Sequence, residues 1–242
     1  MGTITDKLNK LAETKSAIKT AIVNKGVSIS DTDTFASYAD KIASISGGGT
    51  PTEGIYGVFI YDTNGNLTKP EEWNTTNNAS AVGVAVIDEN CSFVIDKVGT
   101  SSTYQWGVPG TTVSGVISTN HSDTALLDYA GNSNTTKIIN QLGSGNAPAA
   151  EYCRGRSCTV NGTTLYGYLG ALGEWQTAYN NKSSIDSALS KIGGTAMDTS
   201  GSHWTSTQHS STNAWCLTWG NGVVGGSTKD SSNYVRAFYP LS

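Results

Sequence analysis

The sequence has few charged residues and no long apolar run. Asp, Glu, Lys and Arg make up 14% of its 242 residues, and the formal net charge is -4. It contains no basic stripe that could displace counterions from a nucleic acid, so we expect no nucleic-acid partner. No apolar run approaches the roughly 18 residues of a membrane-spanning helix, so we expect no membrane span. The first ten residues, MGTITDKLNK, lack the apolar core of a secretory signal.

Cysteine and histidine are also scarce. The four cysteines, at positions 91, 153, 158 and 216, are too few for a disulfide scaffold at this length. Because we expect folding in a reducing compartment, free thiols are the prediction. A disulfide between Cys153 and Cys158, formed on release into an oxidising medium, is the alternative. A structural zinc site needs four ligands, and since the chain has only three histidines, we expect no metal and no cofactor.

Small polar and aromatic residues are abundant instead. The chain contains 28 Gly, 6 Trp and 11 Tyr, together with many Ser, Thr and Asn residues. Few charges combined with many aromatic residues is not the composition of a disordered chain. The composition predicts a turn-rich domain that exposes large amphipathic side chains.

The first 46 residues differ in character from the rest. Their apolar positions alternate between spacings of four and three, a coiled-coil seam interrupted once by lysine: Ile4, Leu8, Leu11, Lys15, Ile18 and Ile22. Gly26 is a natural end for this helix, and Ser30 or Asp31 can cap a second short helix that reaches Ile45. Two such helices bury too little surface to be stable alone. We therefore expect self-association through the seam; packing of the seam on the chain's own C-terminal domain is the alternative.

The sequence divides into three parts. A glycine-rich linker follows the helical segment, and a larger domain follows the linker. We assign residues 1–46 to a helical anchoring and oligomerisation segment, residues 47–53 to the linker and residues 54–242 to the C-terminal domain.

The C-terminal domain mixes strands and helices. Alternating or β-branched runs predict strands over residues 54–60, 81–87 and 92–95. A turn is predicted at residues 62–66. Residues 99–135 are expected to be irregular. The region from Leu165 to Ile192 holds the one clear helical stretch, with an expected buried face of Leu172, Trp175, Tyr179, Ile185, Leu189 and Ile192. Short aromatic strands follow from Trp204. Segregated strands and helices with much loop between them indicate the α+β class.

Two stretches of the C-terminal domain resemble a known family. The first is Tyr168-Leu169-Gly170-Ala171-Leu172-Gly173-Glu174-Trp175, followed by Ile192-Gly193-Gly194. The second joins Trp204-Thr205-Ser206-Thr207, Asn213-Ala214-Trp215, Asn221-Gly222 and Tyr234-Val235-Arg236. Both are similar to the C-type-lectin fold, in the branch that includes the formylglycine-generating-enzyme-like proteins. Within that branch they most resemble the variable proteins of diversity-generating retroelements, of which phage tropism determinants are the best-known type.

The resemblance implies a C-type-lectin-like, ligand-binding domain that displays variable side chains, usually on a homotrimer. It implies a receptor-binding protein at the tip of a phage or prophage tail, with a protein or glycan of a bacterial cell surface as its partner. The N-terminal helices resemble short virion-anchoring segments, so residues 3–45 are expected to contact other tail proteins. A variable lectin-like protein displayed on a bacterial cell surface without a virion is one alternative.

A cysteine-dependent oxidase of the formylglycine-generating type is the other alternative. The active cysteines of that family lie near the C-terminal end, where this chain offers only Cys216. Cys153 and Cys158 precede the helical region and do not match by position. We therefore expect that the chain is not an enzyme.

The resemblance places the variable face on residues 203–234. No Asp, Glu, Lys or Arg occurs from Thr199 to Thr228, and aromatic residues among small polar ones are the mixture that antibody paratopes use. The predicted ligand-binding residues are His203, Thr205, His209, Ser210, Ser211, Asn213, Cys216, Thr218, Asn221, Val223, Ser227, Asp230, Asn233 and Tyr234. The predicted scaffold residues are Trp204, Trp215, Trp219 and Arg236.

Strand alternation assigns the two faces of residues 214–219. One face, predicted to be buried, carries Trp215, Leu217 and Trp219. The other, predicted to be displayed, carries Ala214, Cys216 and Thr218. The alternative interpretation is an ordinary solvated β-region with buried tryptophans and no ligand.

Other candidate chemistry is weaker. Arg236 lies in an otherwise apolar terminal strand, where a buried arginine must be paired; we expect a salt bridge or a clamp on backbone carbonyls rather than ligand contact. Calcium-dependent lectins use Glu-Pro-Asn or Gln-Pro-Asp and then Trp-Asn-Asp, which the chain lacks. The pair Glu71-Glu72 could serve hydrolysis, but adjacent carboxylates on a Pro-Glu-Glu turn are more often solvated or at a helix N-terminus.

Overall fold

The structure, a computed structural model, describes residues 3–23, 30, 34 and 55–241. The chain divides into two compact units, one up to Ile55 and one from Tyr56 to Leu241. Together they make a protein of mixed helix and sheet with a short N-terminal helix. Within the described residues, no helix is both long enough and apolar enough to cross a membrane.

Helix α1 (Ile4–Val23) belongs to the first unit. It begins with reciprocal capping, because Thr3 N donates to Asp6 Oδ2 at 2.7 Å and Asp6 N donates to Thr3 Oγ1 at 3.2 Å. Three apolar residues of the predicted seam are exposed on this helix: Ile4, Leu8 and Leu11. The predicted first helix is confirmed. The second helix up to Ile45 and the linker at 47–53 lie outside the described residues.

The second unit contains a six-stranded antiparallel sheet. Its strands are β1 (Gly57–Asp62), β2 (Leu67–Thr68), β3 (Ala81–Ile87), β4 (Ser92–Asp96), β8 (Tyr168–Leu169) and β13 (Ala237–Pro240). Their order is β2-β1-β3-β4-β13-β8. The continuous apolar run that predicts a strand is confirmed as β3, with all seven residues buried. The terminal strand β13 inserts between β4 and β8, which joins the end of the chain to its middle.

Three smaller sheets complete the β-structure of the described residues. The three-stranded sheet contains β9 (Ser202–Gln208), β10 (Asn213–Thr218) and β11 (Val224–Thr228) in the order β11-β10-β9. The two-stranded sheets pair β5 (Tyr104–Gln105) with β12 (Ser232–Asn233), and β6 (Ser157–Val160) with β7 (Thr163–Tyr166).

The helices of the second unit are α2 (Ser122–Ala125), α3 (Gly131–Leu142), α4 (Pro148–Gly155), α5 (Leu172–Asn180) and α6 (Lys182–Lys191). Short 3₁₀ turns lie at Pro70–Glu72 and Thr75–Asn77. The prediction of one helical stretch over residues 165–192 was incomplete, because this stretch holds β8 and two separate helices. Helices α2, α3 and α4 were not predicted; α2 lies inside the region expected to be irregular, and α3 begins inside it.

Helix α3 was missed because its stability comes from distant contacts. Its sequence, GNSNTTKIINQL, is rich in residues of low helix propensity. The Thr135 hydroxyl accepts from Leu169 N at 2.9 Å, and Asn134 Nδ2 donates to Asp128 Oδ2 at 2.9 Å. Both helix residues are buried. The sequence of the helix alone does not indicate that these hydrogen bonds will form.

The six-stranded sheet is covered on both faces. On one face, Val84 and Ile95 join a core cluster with Trp175, Ile185 and Leu189 of α5 and α6. The opposite face joins the β6–β7 hairpin in a second cluster, formed by Phe59, Tyr61, Val82, Ala85, Ile87, Val94, Val160, Leu165 and Tyr239. Of the predicted helical core face, Tyr179 alone is only partly buried.

Candidate ligand-binding surface

The predicted binding residues lie on and around the three-stranded sheet. Strand β10 is central, and it pairs Cys216 with Trp204 on β9 and with Gly225 on β11. Turns at residues 209–212 and 219–223 flank β10 at its two ends. Strand β11 lies at the edge of the sheet. The binding residues therefore follow an edge and two opposite turns rather than one end of the domain.

Three tryptophans anchor this sheet from the inside. Trp204 and Trp219 expose 0% of their surface and Trp215 exposes 5%. Their indole N–H groups donate at 2.7 to 2.9 Å to Tyr104 O, Asp186 Oδ1 and Thr119 O, respectively. The prediction that these indoles face inward agrees with the structure. Each indole also ties the sheet to a segment that is distant in the sequence.

Three predicted binding residues are buried. The prediction that they are displayed is wrong for His203, Thr205 and Cys216, which expose 3%, 0% and 7% of their surface. It assumed that the sheet has one solvated face. In the structure Cys216 and Trp204 belong to a core cluster with Trp106 and Val113, while Trp215 joins a different cluster. Both faces of β9 and β10 are therefore covered.

The buried side chains of Thr205 and Cys216 have internal partners. The Thr205 hydroxyl donates to Trp215 O at 3.0 Å, and Thr205 O accepts from the Trp106 indole at 2.8 Å. Cys216 Sγ donates to Gly225 O at 3.2 Å. Burial raises the pKa of the Cys216 thiol. These contacts join the strands to each other and to the loop that covers them.

The other predicted residues reach the surface to different degrees. Four are exposed: Ser211, Asn221, Val223 and Asp230. Seven are partly buried: His209, Ser210, Asn213, Thr218, Ser227, Asn233 and Tyr234. We call residues 209–213 and 218–228, which comprise both turns and β11, the edge surface.

The edge surface contains no charged residue. Lys229 follows directly after it but exposes 0% of its surface. Its Nζ donates to Thr111 O at 2.6 Å and to Gln208 Oε1 at 3.0 Å, and lies 4.5 Å from the centroid of the Trp106 ring. Burial lowers the pKa of Lys229 to about 8. The lysine charge is held inside, so the edge surface offers hydroxyl, amide and backbone groups to a ligand.

One position on the edge surface requires a small residue. Gly226 pairs with Trp215 across the sheet. A Cβ atom at Gly226 would lie 2.8 Å from Cδ2 of His209, and the His209 ring is 4.9 Å from the Trp215 ring. The bare backbone therefore allows His209 to pack beside the tryptophan. We did not single out Gly226 from the sequence, although two adjacent glycines within a strand were the available signal.

Arg236 is clamped by a backbone carbonyl. It exposes 3% of its surface, and its Nη2 donates to Thr195 O at 2.7 Å. Of the two expected pairings, the carbonyl contact is the one that the structure contains. Within the described residues, no carboxylate lies within 4.0 Å of this guanidinium.

The four cysteines are free thiols in this structure. Cys153 belongs to one core cluster and Cys158 packs against another, so the alternative of a disulfide between them is not realised. Burial raises the pKa of Cys158 to about 11, and it also raises the pKa of the fully buried Cys153. Since the thiolate is the nucleophile, both are poor candidates for covalent catalysis.

Carboxylates also do not gather into a metal site. Glu71 and Glu72 are exposed on the 3₁₀ turn that begins at Pro70, as expected for a solvated pair. Across residues 3–23, 30, 34 and 55–241, no group of three or more His, Cys, Asp or Glu side chains is arranged to hold a metal ion.

Comparison with known proteins gives one distant structural similarity. No family model and no curated protein matches the sequence. The structure is similar to the crystal structure of a fimbrial protein from Bacteroides ovatus ATCC 8483, with a TM-score of 0.46 and 14% sequence identity. The match covers 81% of this chain and 46% of that chain, so this chain spans about half the length of the fimbrial protein.

Proposed function

We propose that this chain is a receptor-binding protein of a phage or prophage tail that presents the edge surface to a protein or glycan of a bacterial cell. The observation that carries the proposal is the construction of the edge surface. The edge surface contains no charged residue and is exposed at both turns, and the buried Trp215 and Trp219 hold it in place from the inside.

This construction suits ligand binding for a physical reason. Binding costs less conformational entropy when the contact residues are held in place beforehand. The inward indoles and the buried bonds of β9 supply that rigidity, while small hydroxyl and amide groups adapt their hydrogen bonds to the partner. Variation at the exposed turn positions would leave the anchors untouched.

The assignment of residues 54–242 to a C-type-lectin-like domain is part of the proposal. The first similar stretch runs through β8 into α5, and the second covers β9, β10 and the approach to β13. These stretches contact each other, because Ser206 N donates to Gly170 O at 2.8 Å. In addition, β8 pairs with β13, which directly follows Arg236. The residues that resemble the variable proteins thus form one connected part of the domain, which supports the assignment.

Binding to cells tests the proposed function. Fluorescently labelled protein is incubated with a panel of bacterial strains, and Val223→Asp is compared with Tyr166→Asp. The two residues expose nearly the same fraction, 58% and 57%, but Tyr166 is on β7, outside the edge surface. Val223→Asp should weaken binding to a positive strain by about tenfold or more, and Tyr166→Asp should leave it unchanged. Equal effects of the two variants, or no binding to any strain, would contradict the proposal.

Self-association through α1 is the second part of the proposal, with a trimer as the favoured state. This part rests on the exposed apolar residues Leu8 and Leu11. Burying them against another copy of the chain would be favourable. Light scattering should give three times the chain mass for the wild type and a smaller mass for Leu8→Gln/Leu11→Gln. Asn9→Gln/Lys10→Gln, on the same helix but outside the seam, is the matched control and should stay assembled.

The cysteine-dependent oxidase receives no support from the surroundings of Cys216. Its thiol is buried, is bonded to Gly225 O and has a raised pKa. Cys216→Ala should therefore leave cell binding unchanged. Loss of an oxidase activity in this variant would favour the enzyme instead.

A further inference from the structure

A cleft of about 280 Å³ opens near the edge surface. Its walls include Thr100, Ser101, Thr195, Asp198, His203 and Arg236. The volume is just below the usual range for small-molecule sites, so it suits one small ligand. Except for His203 and Arg236, none of these residues was singled out from the sequence, because they come from three separate segments.

Arg236 brings a buried positive charge to this cleft. Among the described residues, Arg236 makes one hydrogen bond, from Nη2 to Thr195 O, and its Nε has no hydrogen-bond partner. Asp96 acts on it electrostatically from farther away, but that carboxylate accepts from Arg156 Nε at 2.8 Å and from the Tyr239 hydroxyl at 3.0 Å. A buried guanidinium without a close anion is costly. Arg236 therefore brings to the wall of the cleft a positive charge that has no anion close to it.

His203 adds a second unsatisfied group. Its ring exposes 3% of its surface, and its Nδ1 has no hydrogen-bond partner. The ring is held in place by Trp175 at 5.1 Å and by Tyr234 at 5.7 Å between centroids. Two buried, fixed side chains that line one cleft thus both have an unused nitrogen. Native proteins seldom leave such atoms without a partner.

The rest of the wall combines the apolar side chains of Ala196, Met197 and Val235 with polar groups and one negative charge. Thr100, Ser101 and Thr195 contribute hydroxyl-bearing side chains. Asp198 Oδ1 accepts from Ser200 N at 2.8 Å and from Ser200 Oγ at 2.7 Å, which fixes this carboxylate beside the cleft. A carboxylate repels a highly charged anion and accepts hydrogen bonds from hydroxyl groups. The combination selects a ligand with a single negative charge and several hydroxyls.

We propose that this cleft binds a small ligand with one carboxylate and several hydroxyl groups, which is the chemistry of an acidic monosaccharide. The ligand carboxylate accepts from Arg236 and His203, and its hydroxyls donate to Asp198. The site is separate from the edge surface and goes beyond the proposed receptor binding, so each can be correct without the other.

Titration calorimetry on the full chain tests the ligand class with three probes: D-glucuronate, its uncharged relative D-glucose, and inorganic phosphate. Glucuronate should bind at least about tenfold more tightly than either of the others, which corresponds to about 1.4 kcal/mol. Binding of glucuronate should also shift the NMR resonances of the His203 ring. Equal affinity for glucose, tighter binding of phosphate, or no saturable binding of glucuronate would overturn the proposal.

Two neighbouring serines provide a matched pair of variants. Ser101 and Ser102 are both exposed, but only Ser101 lines the cleft. Ser101→Asp adds a second negative charge at the site and should weaken glucuronate binding about tenfold, whereas Ser102→Asp should change it less than about twofold. Equal effects would show that the ligand binds elsewhere. Cell binding of Ser101→Asp, measured separately, distinguishes this site from the edge surface.

Discussion

Strands β3 and β9 are similar in length and burial but opposite in composition. β3 has the sequence AVGVAVI and is buried at all seven residues. β9 has the sequence SHWTSTQ and is buried at six of seven, from His203 to Gln208. β3 needs only apolar neighbours, which any well-packed core supplies. β9 needs a partner for each polar group, because an unpaired buried group costs free energy.

The partners of β9 come from remote parts of the chain. The Thr207 hydroxyl donates to Asp128 Oδ2 at 2.8 Å and accepts from Leu172 N at 2.9 Å. Gln208 Oε1 accepts from Val113 N at 2.9 Å, and Gln208 Nε2 donates to Val113 O at 2.8 Å. β9 therefore depends on specific bonds that form only when distant segments are in place, whereas β3 depends on general apolar packing.

Removal of the Gln208 amide should cause the largest loss of stability among the variants of the two strands. Gln208→Leu leaves both backbone groups of Val113 unpaired and takes one of two acceptors from the buried ammonium of Lys229. We expect the free energy of unfolding to fall by about 3 to 5 kcal/mol, measured by urea denaturation.

Gln141 is the matched control for Gln208. The Gln141 side chain makes the same pair of hydrogen bonds to the backbone of Ser114, the residue that follows Val113, at 2.8 Å each. Unlike Gln208, Gln141 is exposed. Gln141→Leu should cost less than about 1 kcal/mol, because water replaces the lost bonds. If the two variants cost the same, burial is not the reason that β9 is sensitive.

A reciprocal exchange between the two strands should destabilise in both directions. Thr207→Val keeps the shape, but it removes one donor from buried Asp128 Oδ2 and leaves Leu172 N without a partner. Val84→Thr puts a hydroxyl into the fully buried apolar side of β3. We expect a loss of about 1 to 3 kcal/mol for each unpaired buried group. Chemical denaturation measures both. A neutral Thr207→Val would show that its hydrogen bonds contribute little.

Because His203 of β9 is buried, the protein should lose stability as the pH falls. Burial lowers the pKa of His203 to about 4; the Asp198 carboxylate opposes this shift, and the charge of Arg236 acts in the same direction as burial. The unfolded chain, with a histidine pKa near 6.5, therefore takes up a proton first as the pH falls. The stabilising effect of the neutral ring is complete above pH 6.5 and is lost between about 6.5 and 4, with about 2 kcal/mol gone at pH 5.

The variant His203→Gln isolates this contribution. Unfolding free energies of the wild type and the variant are measured at pH 7 and pH 5. The other titrating groups are common to both proteins, so the wild type should lose more stability than the variant on acidification. Parallel pH profiles would mean that His203 does not titrate in this window.

The smallest effect on stability is expected on the edge surface. Val223 exposes 58% of its surface, and Val223→Ser removes neither a buried contact nor a bond that its side chain makes. The free energy of unfolding should change by less than about 0.5 kcal/mol. Thermal unfolding checks this, and a larger loss would show that the turn supports the fold rather than being free to vary.

The contrast between the two strands also marks how much sequence reasoning could predict. The bounds of β3 and the inward direction of Trp215 and Trp219 followed from apolar runs and alternation. The display of Cys216 did not, because alternation identifies two faces of a strand but not what covers them. The cleft at Arg236 could not be predicted either, because its walls come from three separate segments, at residues 100–101, 195–203 and 235–236.

Local patterns alone determined the existence of α1, the apolar strands of the large sheet, the helical region that became α5 and α6, and the uncharged character of residues 199–228. Tertiary structure decided that β9 is buried on both faces, that Lys229 lies under Trp106, and that α3 is a helix at all. The physical reason is that apolar burial needs no particular partner, so its signal is local. A buried polar group is stable only against a specific donor or acceptor, and the folded chain brings that partner from elsewhere.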